Sequence, residues 1–223
     1  VNGTNRSFHV LVSMSGTHRE PTVFVVDDDP AVREYLQWLI ESVGLATQVY
    51  ATAADFLDAY EADTPGCLVL DVRMPGLSGF DLQAELAARR ITLPIIMMTA
   101  YAEVPMAVRA LKAGASDFIQ KPFDGQVLID RVQDAIERDR QARAAQVRCN
   151  EIGARLAELT PRQHEVLNGL IAGKPSKVIA AELGLSVKTV DVHRSHIMER
   201  LEAQSLPDLF RLLLLARGER APL

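Results

Sequence analysis

The polar residues with most chemical potential in this 223-residue chain stand where short apolar runs end. Asp27 and Asp28 follow the run 22–26, Asp71 follows 67–70, Thr99 follows 95–98 and Lys121 follows 117–119. Three carboxylates, a hydroxyl and an ammonium could hold a cation and handle a phosphoryl group. Carboxylates packed together repel and shift one another's pKa unless a cation joins them. Oxygen-only ligands suit Mg2+, which keeps several waters and couples carboxylates to phosphate. A carboxylate left free is a nucleophile toward phosphorus. Lys121 would then meet phosphoryl oxygens as a point charge and Thr99 as a hydrogen-bond donor. Alone, each residue has a plainer role: Asp27, Asp28 or Asp29 as a turn or cap former, Thr99 as a cap, Lys121 as a surface charge. Their joint occurrence after four of five runs favours one shared site.

Such a site needs a scaffold that brings the ends of those runs together. Strands are predicted at 22–26, 46–50, 67–70, 95–98 and 117–119, and helices near 30–43, 53–61, 78–89, 104–113 and from 124 onward. Pro30 behind three aspartates suits a first helical turn, and Gly44, Gly66 and Gly114 fall where helices stop or the chain turns. Five strands alternating with five helices imply an α/β fold, a doubly wound five-stranded parallel sheet covered on both faces. The carboxyl ends of parallel strands share one edge, where ligands bind.

Residues 127–159 are polar and nearly free of breakers, which predicts a helical linker; apolar residues thin out after Ile136, against a strong coiled coil. Thr160 before Pro161 reads as an N-cap with proline at the first helical position. That helix should run to Ile171 and stop at Gly173. Ser176 is expected to cap a short helix through Leu183, Gly184 to end it, and Ser186 to cap a third helix through Leu201. A fourth is expected over 206–216. Four short helices, two joined by a tight glycine turn, make an all-α helix-turn-helix domain. The expected organisation is an N-terminal extension (1–20), an α/β domain (21–125), a helical linker (126–154), the helix-turn-helix domain (155–217) and a tail (218–223).

The blocks Val25-Val26-Asp27-Asp28-Asp29, Leu70-Asp71-Val72-Arg73-Met74-Pro75-Gly76, Met98-Thr99-Ala100 and Lys121-Pro122-Phe123 resemble the signature of response-regulator receiver domains over about 21–125. The resemblance implies a flavodoxin-like sheet of order 2-1-3-4-5, with Asp71 as phospho-acceptor. It implies Mg2+ bound directly by Asp28 and Asp71, through water by Asp27, and by the backbone carbonyl of Arg73. Thr99 and Phe118 match the family's switch pair, although Phe118 also reads as a plain core aromatic. The Lys121-Pro122 bond is expected to be cis, an isomer only proline makes routine. Phosphorylation adds charge and acceptor oxygens at Asp71. Thr99 would move to bond one oxygen, Phe118 would fill the vacated space, and the surface around 104–113 would re-form.

Leu159-Thr160-Pro161-Arg162-Gln163, Glu165-Val166-Leu167, Leu183-Gly184-Leu185-Ser186 and Thr189-Val190-Asp191-Val192-His193 resemble the LuxR-type helix-turn-helix over roughly 155–217. The whole chain is similar to the FixJ-like subfamily of transcriptional regulators. That likeness implies a two-component regulator phosphorylated by a sensor histidine kinase. It further implies dimerisation on phosphorylation, binding to double-stranded promoter DNA, and transcriptional activation with RNA polymerase as a partner. The third helix, 187–201, would enter the major groove. Val190, Ile197 and Leu201 share one face and read as core. Lys188, Asp191, Val192, Arg194 and Ser195 should face outward. Lys177, Lys188 and Arg194 are candidate phosphate contacts, and Thr189 and His193 candidate donors to the DNA backbone. Val192 suits a thymine methyl and Asp191 a cytosine amino group. Asp191 stands where many LuxR-type domains carry lysine. His193 and His196 lack a third metal ligand.

Apolar residues at 48% and charged residues at 24% place the chain among globular rather than disordered proteins. The net charge of -5 hides an asymmetry: 7 Lys and Arg against 15 Asp and Glu over 21–125, but 10 against 8 over 155–223. So small a basic surplus grips DNA weakly. Pairing of two copies through the 104–120 surface, on a two-fold symmetric site, is therefore expected. Cys67 and Cys149 show no metal or disulfide spacing, which suits a reducing cytoplasm. No run approaches the roughly 18 apolar residues of a membrane span. Residues 8–14 are too short and interrupted for a signal-peptide core, and Met14 is an alternative start. A Mg-dependent aspartyl phosphohydrolase would want a cap insertion, for which the loops are too short. A LuxR-type small-molecule sensor has no need of the acidic set, and a phosphorylation-independent regulator no need of all five pocket residues. The expectation is a regulator rather than an enzyme, with at most slow autodephosphorylation.

Overall fold

The computed structural model describes residues 19–101 and 103–216; what was expected of residues 1–18 and of the 218–223 tail lies outside them. The chain divides into two compact units between Arg140 and Gln141. In the first, strands β1 (Thr22–Val26), β2 (Ala46–Tyr50), β3 (Gly66–Asp71), β4 (Ile95–Thr99) and β5 (Asp117–Gln120) alternate with helices α1 (Pro30–Glu41), α2 (Ala53–Ala59), α3 (Gly79–Ala88) and α4 (Val104–Lys112). A long helix, α5 (Gly125–Ala157), follows. The strands form one parallel sheet of order β2-β1-β3-β4-β5, as anticipated.

Alternation along the strands divides the core in two. Phe24, Val26, Leu68, Leu70 and Met97 pack with Phe56 of α2, Leu82 and Leu86 of α3, and Ala110 of α4. Val23, Val25, Cys67, Val69, Ile96 and Met98 pack with Leu36 and Ile40 of α1 and Leu128, Ile129 and Val132 of α5. β1, β3 and β4 are buried throughout, whereas edge strand β2 is partly exposed. That contrast matches their sequences, unbroken apolar runs against the mixed Ala46–Tyr50.

Strands β3, β4 and β5 each reach one residue further toward the site than their apolar runs, because ladder hydrogen bonds belong to the backbone and not to side-chain polarity. Asp71 and Thr99 are therefore the last residues of β3 and β4. Asp29 caps α1, its carboxylate accepting from the Ala31 N–H, with Pro30 in the first turn.

The stretch expected as a linker contributes buried side chains to both units. Leu128, Val132 and Ala135 belong to the first core, while Ile152 is buried and Leu156 packs against the second. In the second unit, α6 (Pro161–Ile171) starts from a capping box between Thr160 and Gln163. It is followed by α7 (Ser176–Leu183), α8 (Val187–Arg200) and α9 (Leu206–Ala216). Gly184 ends α7 at φ 64° and ψ 38°, left-handed as a glycine C-cap permits. Ser186 caps α8 as expected. Ser176 does not cap α7: Pro175 occupies that position, and Ser176 is already helical. Val166, Leu170, Ile179, Val190, Ile197 and Leu209 close the second core.

Candidate functional site

At the carboxyl edge of the sheet, the Lys121 ammonium lies 2.6 Å from Asp27 Oδ2 and 2.6 Å from Asp71 Oδ1. The remaining carboxylate oxygens accept backbone N–H groups: Asp27 Oδ1 from Asp29 at 3.0 Å and Asp71 Oδ2 from Arg73 at 2.7 Å. Both carboxylates are nearly closed from solvent, Asp27 at 1% exposure and Asp71 at 6%. Burial pushes the Asp27 carboxyl above its usual range, opposed by Lys121, while the Asp71 charge adds to the rise. Burial would depress the Lys121 ammonium, but its hydrogen bonds to Asp27 and Asp71 and their charges raise it on balance.

Thr99 is buried beside them, its hydroxyl accepting from the Tyr101 N–H at 3.3 Å. The Thr99 carbonyl accepts from Lys121 N–H at 2.7 Å, joining the ends of β4 and β5. Phe118 pairs with Met97, so it shares a sheet face with Thr99, two residues further along β4. It is half-buried against the α2–α4 core. The Lys121-Pro122 bond is cis. The Arg73 guanidinium stacks on the Tyr101 ring, 4.7 Å from its centroid. Sequence reasoning missed this pair, and also Arg33, whose guanidinium donates to the Asp27 carbonyl at 2.6 Å. Neither involves a spacing that marks partners.

Of the three carboxylates, Asp27 and Asp71 are buried and joined through Lys121, while Asp28, at the bend that follows β1, is exposed. Among the described residues, no three His, Cys, Asp or Glu side chains are grouped to hold a metal. The donors nevertheless fit a hard cation. Asp27, Asp71 and the adjoining Asp28 outnumber the nearby cations Lys121 and Arg33, and carboxylate oxygens are the side-chain groups able to bind a metal there.

In the second unit, Val190, Ile197 and Leu201 are buried, as their shared face predicts. Lys188, Asp191, Val192 and Ser195 of α8 are exposed, as is Lys177 of α7; Thr189, His193 and Arg194 are half-buried. The Thr189 hydroxyl shares a 2.7 Å hydrogen bond with Ser186 Oγ at the start of α8.

Residues 23–133 match the response regulator receiver domain, and residues 157–213 match the luxR family of bacterial regulatory proteins. Transcriptional regulatory protein FixJ of Azorhizobium caulinodans is 45% identical over 194 residues, covering 87% of this chain and 92% of that protein. The chain belongs to the response-regulator family. Nodulation protein W of Bradyrhizobium diazoefficiens is 44% identical, with 88% of each protein covered. Among solved structures, response regulator StyR aligns with TM-score 0.77 and 42% identity over 87% of this chain and 98% of that one. Full-length FixJ from B. japonicum aligns with TM-score 0.55 and 39% identity over 90% and 98%. This response regulator is thus a DNA-binding member of a two-component system, and its receiver implies a histidine kinase upstream. Among the described residues, no helix is long and apolar enough to cross a membrane.

Proposed function

We propose that Asp71 accepts a phosphoryl group from the sensor histidine kinase, and that this event controls promoter binding by α7 and α8. The observation carrying the proposal is the Lys121 ammonium, held at 2.6 Å from both Asp71 and Asp27. An Asp71 carboxylate oxygen forms the new bond to phosphorus as the phosphorus–nitrogen bond to the kinase histidine breaks. Lys121 then turns from carboxylate to phosphoryl oxygens, and Thr99 donates its hydroxyl to another. Asp27, Asp28, Asp71 and the Arg73 backbone carbonyl would hold Mg2+, which supplies neutralisation of the added negative charge. Phe118, on the face Thr99 occupies, follows the hydroxyl inward and re-forms the surface at α4. Slow loss of the phosphoryl group to water would time the signal.

Val104, Val108 and Leu111 of α4 are exposed, which supports the 104–120 surface as the contact between phosphorylated copies. Lys177, Lys188 and Arg194 serve as phosphate contacts, and Thr189 and His193 as donors to the DNA backbone. Asp191, Val192 and Ser195 face base edges. RNA polymerase is the downstream partner in activating transcription, and the cytoplasm is the site of action. The receiver spans 21–125 and is completed by the first turns of α5; the DNA-binding domain spans 155–217.

The test is phosphorylation by a small donor such as acetyl phosphate, with and without Mg2+. The wild-type chain should acquire a base-labile acyl phosphate, and Asp71→Asn should not. Label retained by Asp71→Asn would refute the assignment. Sedimentation showing a phosphorylated monomer at DNA-binding concentrations would remove the dimer from the scheme.

A further inference from the structure

The turn that launches α8 is held from outside. α7 ends at Leu183, and only Gly184, Leu185 and Ser186 separate it from the first residue of α8. Backbone N–H groups of Gly184 and Leu185 both donate to the Ala180 carbonyl. The Leu183 carbonyl, at the elbow itself, instead accepts from the Arg162 guanidinium, through Nη2. Arg162 is the second residue of α6, in a first turn fixed by the Thr160–Gln163 capping box. Its other terminal nitrogen, Nη1, pairs with Glu165 one turn along the same helix, which orients the planar fork. A cation at the carboxyl end of a helix is also favoured by the helix dipole. The neighbouring residue is clasped as well: Glu182 receives Lys174, just beyond the other end of α6, at 2.7 Å on both carboxylate oxygens.

We propose that Arg162 is the positioning residue of the DNA-reading helix: by holding the Leu183 carbonyl it sets the direction in which α8 leaves the turn, and hence sequence discrimination. Phosphate contacts grip any duplex, whereas base contacts require side chains placed to within fractions of an ångström. A loosened elbow therefore costs discrimination before it costs grip. Arg162→Met removes both hydrogen bonds while keeping the aliphatic stem; Arg162→Lys keeps the charge but loses the two-pronged fork. Glu165→Gln leaves the guanidinium in place and weakens only its orientation.

The experiment uses the full chain and two duplexes, one selected from a random library by the wild-type protein and one of shuffled sequence. Affinities are measured across a salt series. Arg162→Met should lower the ratio of selected to shuffled affinity about tenfold, the size of one mismatched base pair. Binding to the shuffled duplex and its salt dependence should stay unchanged. Arg162→Lys and Glu165→Gln should fall between wild type and Arg162→Met, which keeps the test decisive if the methionine variant does not fold. A ratio unchanged in the folded variants overturns the proposal. So does weaker binding to both duplexes with a shallower salt slope, since that marks a phosphate contact. Failure of the wild-type protein to enrich any duplex would instead strike at promoter binding itself, and with it at this role.

Discussion

The Asp139 carboxylate on α5 accepts the backbone N–H of Gly66, the first residue of β3, at 3.0 Å and across 73 positions of sequence. Both groups are buried. Gly66 itself admits no side chain: its φ is 146°, and a Cβ would stand 1.8 Å from the Thr22 carbonyl oxygen. The start of the central strand is thus held between β1 and the middle of α5.

Asp139→Ala leaves a buried N–H without its acceptor and should lower receiver stability by about 1–3 kcal/mol. Asp139→Asn keeps an acceptor oxygen and should lose less. Amide exchange of β3 under native conditions measures both. Equal protection in wild type and Asp139→Ala would show that the bond contributes nothing.

Lys121→Met removes the cation shared by Asp27 and Asp71. Without divalent metal, the receiver should lose about 3 kcal/mol, as when one partner of a buried ion pair is removed. Added Mg2+ should raise the melting temperature of this variant more than that of wild type, because the metal takes over the missing neutralisation. An identical magnesium response in the two proteins would count against Asp27 and Asp71 as ligands.

Acid should weaken α3 through one residue. The Ser78 hydroxyl, at 2.6 Å, and the Ser78 N–H, at 3.0 Å, hold the Asp81 carboxyl below its ordinary value of 3.8. A depressed folded-state pKa stabilises above the unfolded value, and the contribution disappears as pH falls through the folded value. Protection of the first-turn amides of α3 should therefore exceed that of Asp81→Ala at neutral pH, and the difference should shrink below pH 3.8. A difference that persists undiminished in strong acid would exclude this cap as the cause.

Lys188 and Asp191 should separate grip from choice. Lys188→Ala should weaken all duplexes alike and reduce the salt slope by about one. Asp191→Ala should relax preference at one base pair, by about 1–3 kcal/mol. Binding selections with each variant distinguish the two, and a sequence-dependent loss for Lys188→Ala would reverse the assignment.

Much of the receiver was legible because its signals are local. Unbroken apolar runs marked the buried strands, and Asp27, Asp71, Thr99 and Lys121 stood at the positions where parallel strands share an edge. In the second unit Thr160, Gly184 and Ser186 announced helix ends through their own chemistry, whereas Ser176 misled because proline before it took the cap position.

What the sequence by itself determined is therefore the order of elements, the sheet they make and the polar residues at its edge. Tertiary structure alone decided that Asp27 is buried while Asp28 is exposed, and that Lys121 lies between two carboxylates. It also decided that Asp139 and Arg162 hold backbone groups of distant elements. The physical reason is that periodicity and capping are encoded by near neighbours along the chain. Side-chain bonds to a remote carbonyl or N–H require only a charged residue at the right place in space, and such residues look in sequence like any other charge on a helix.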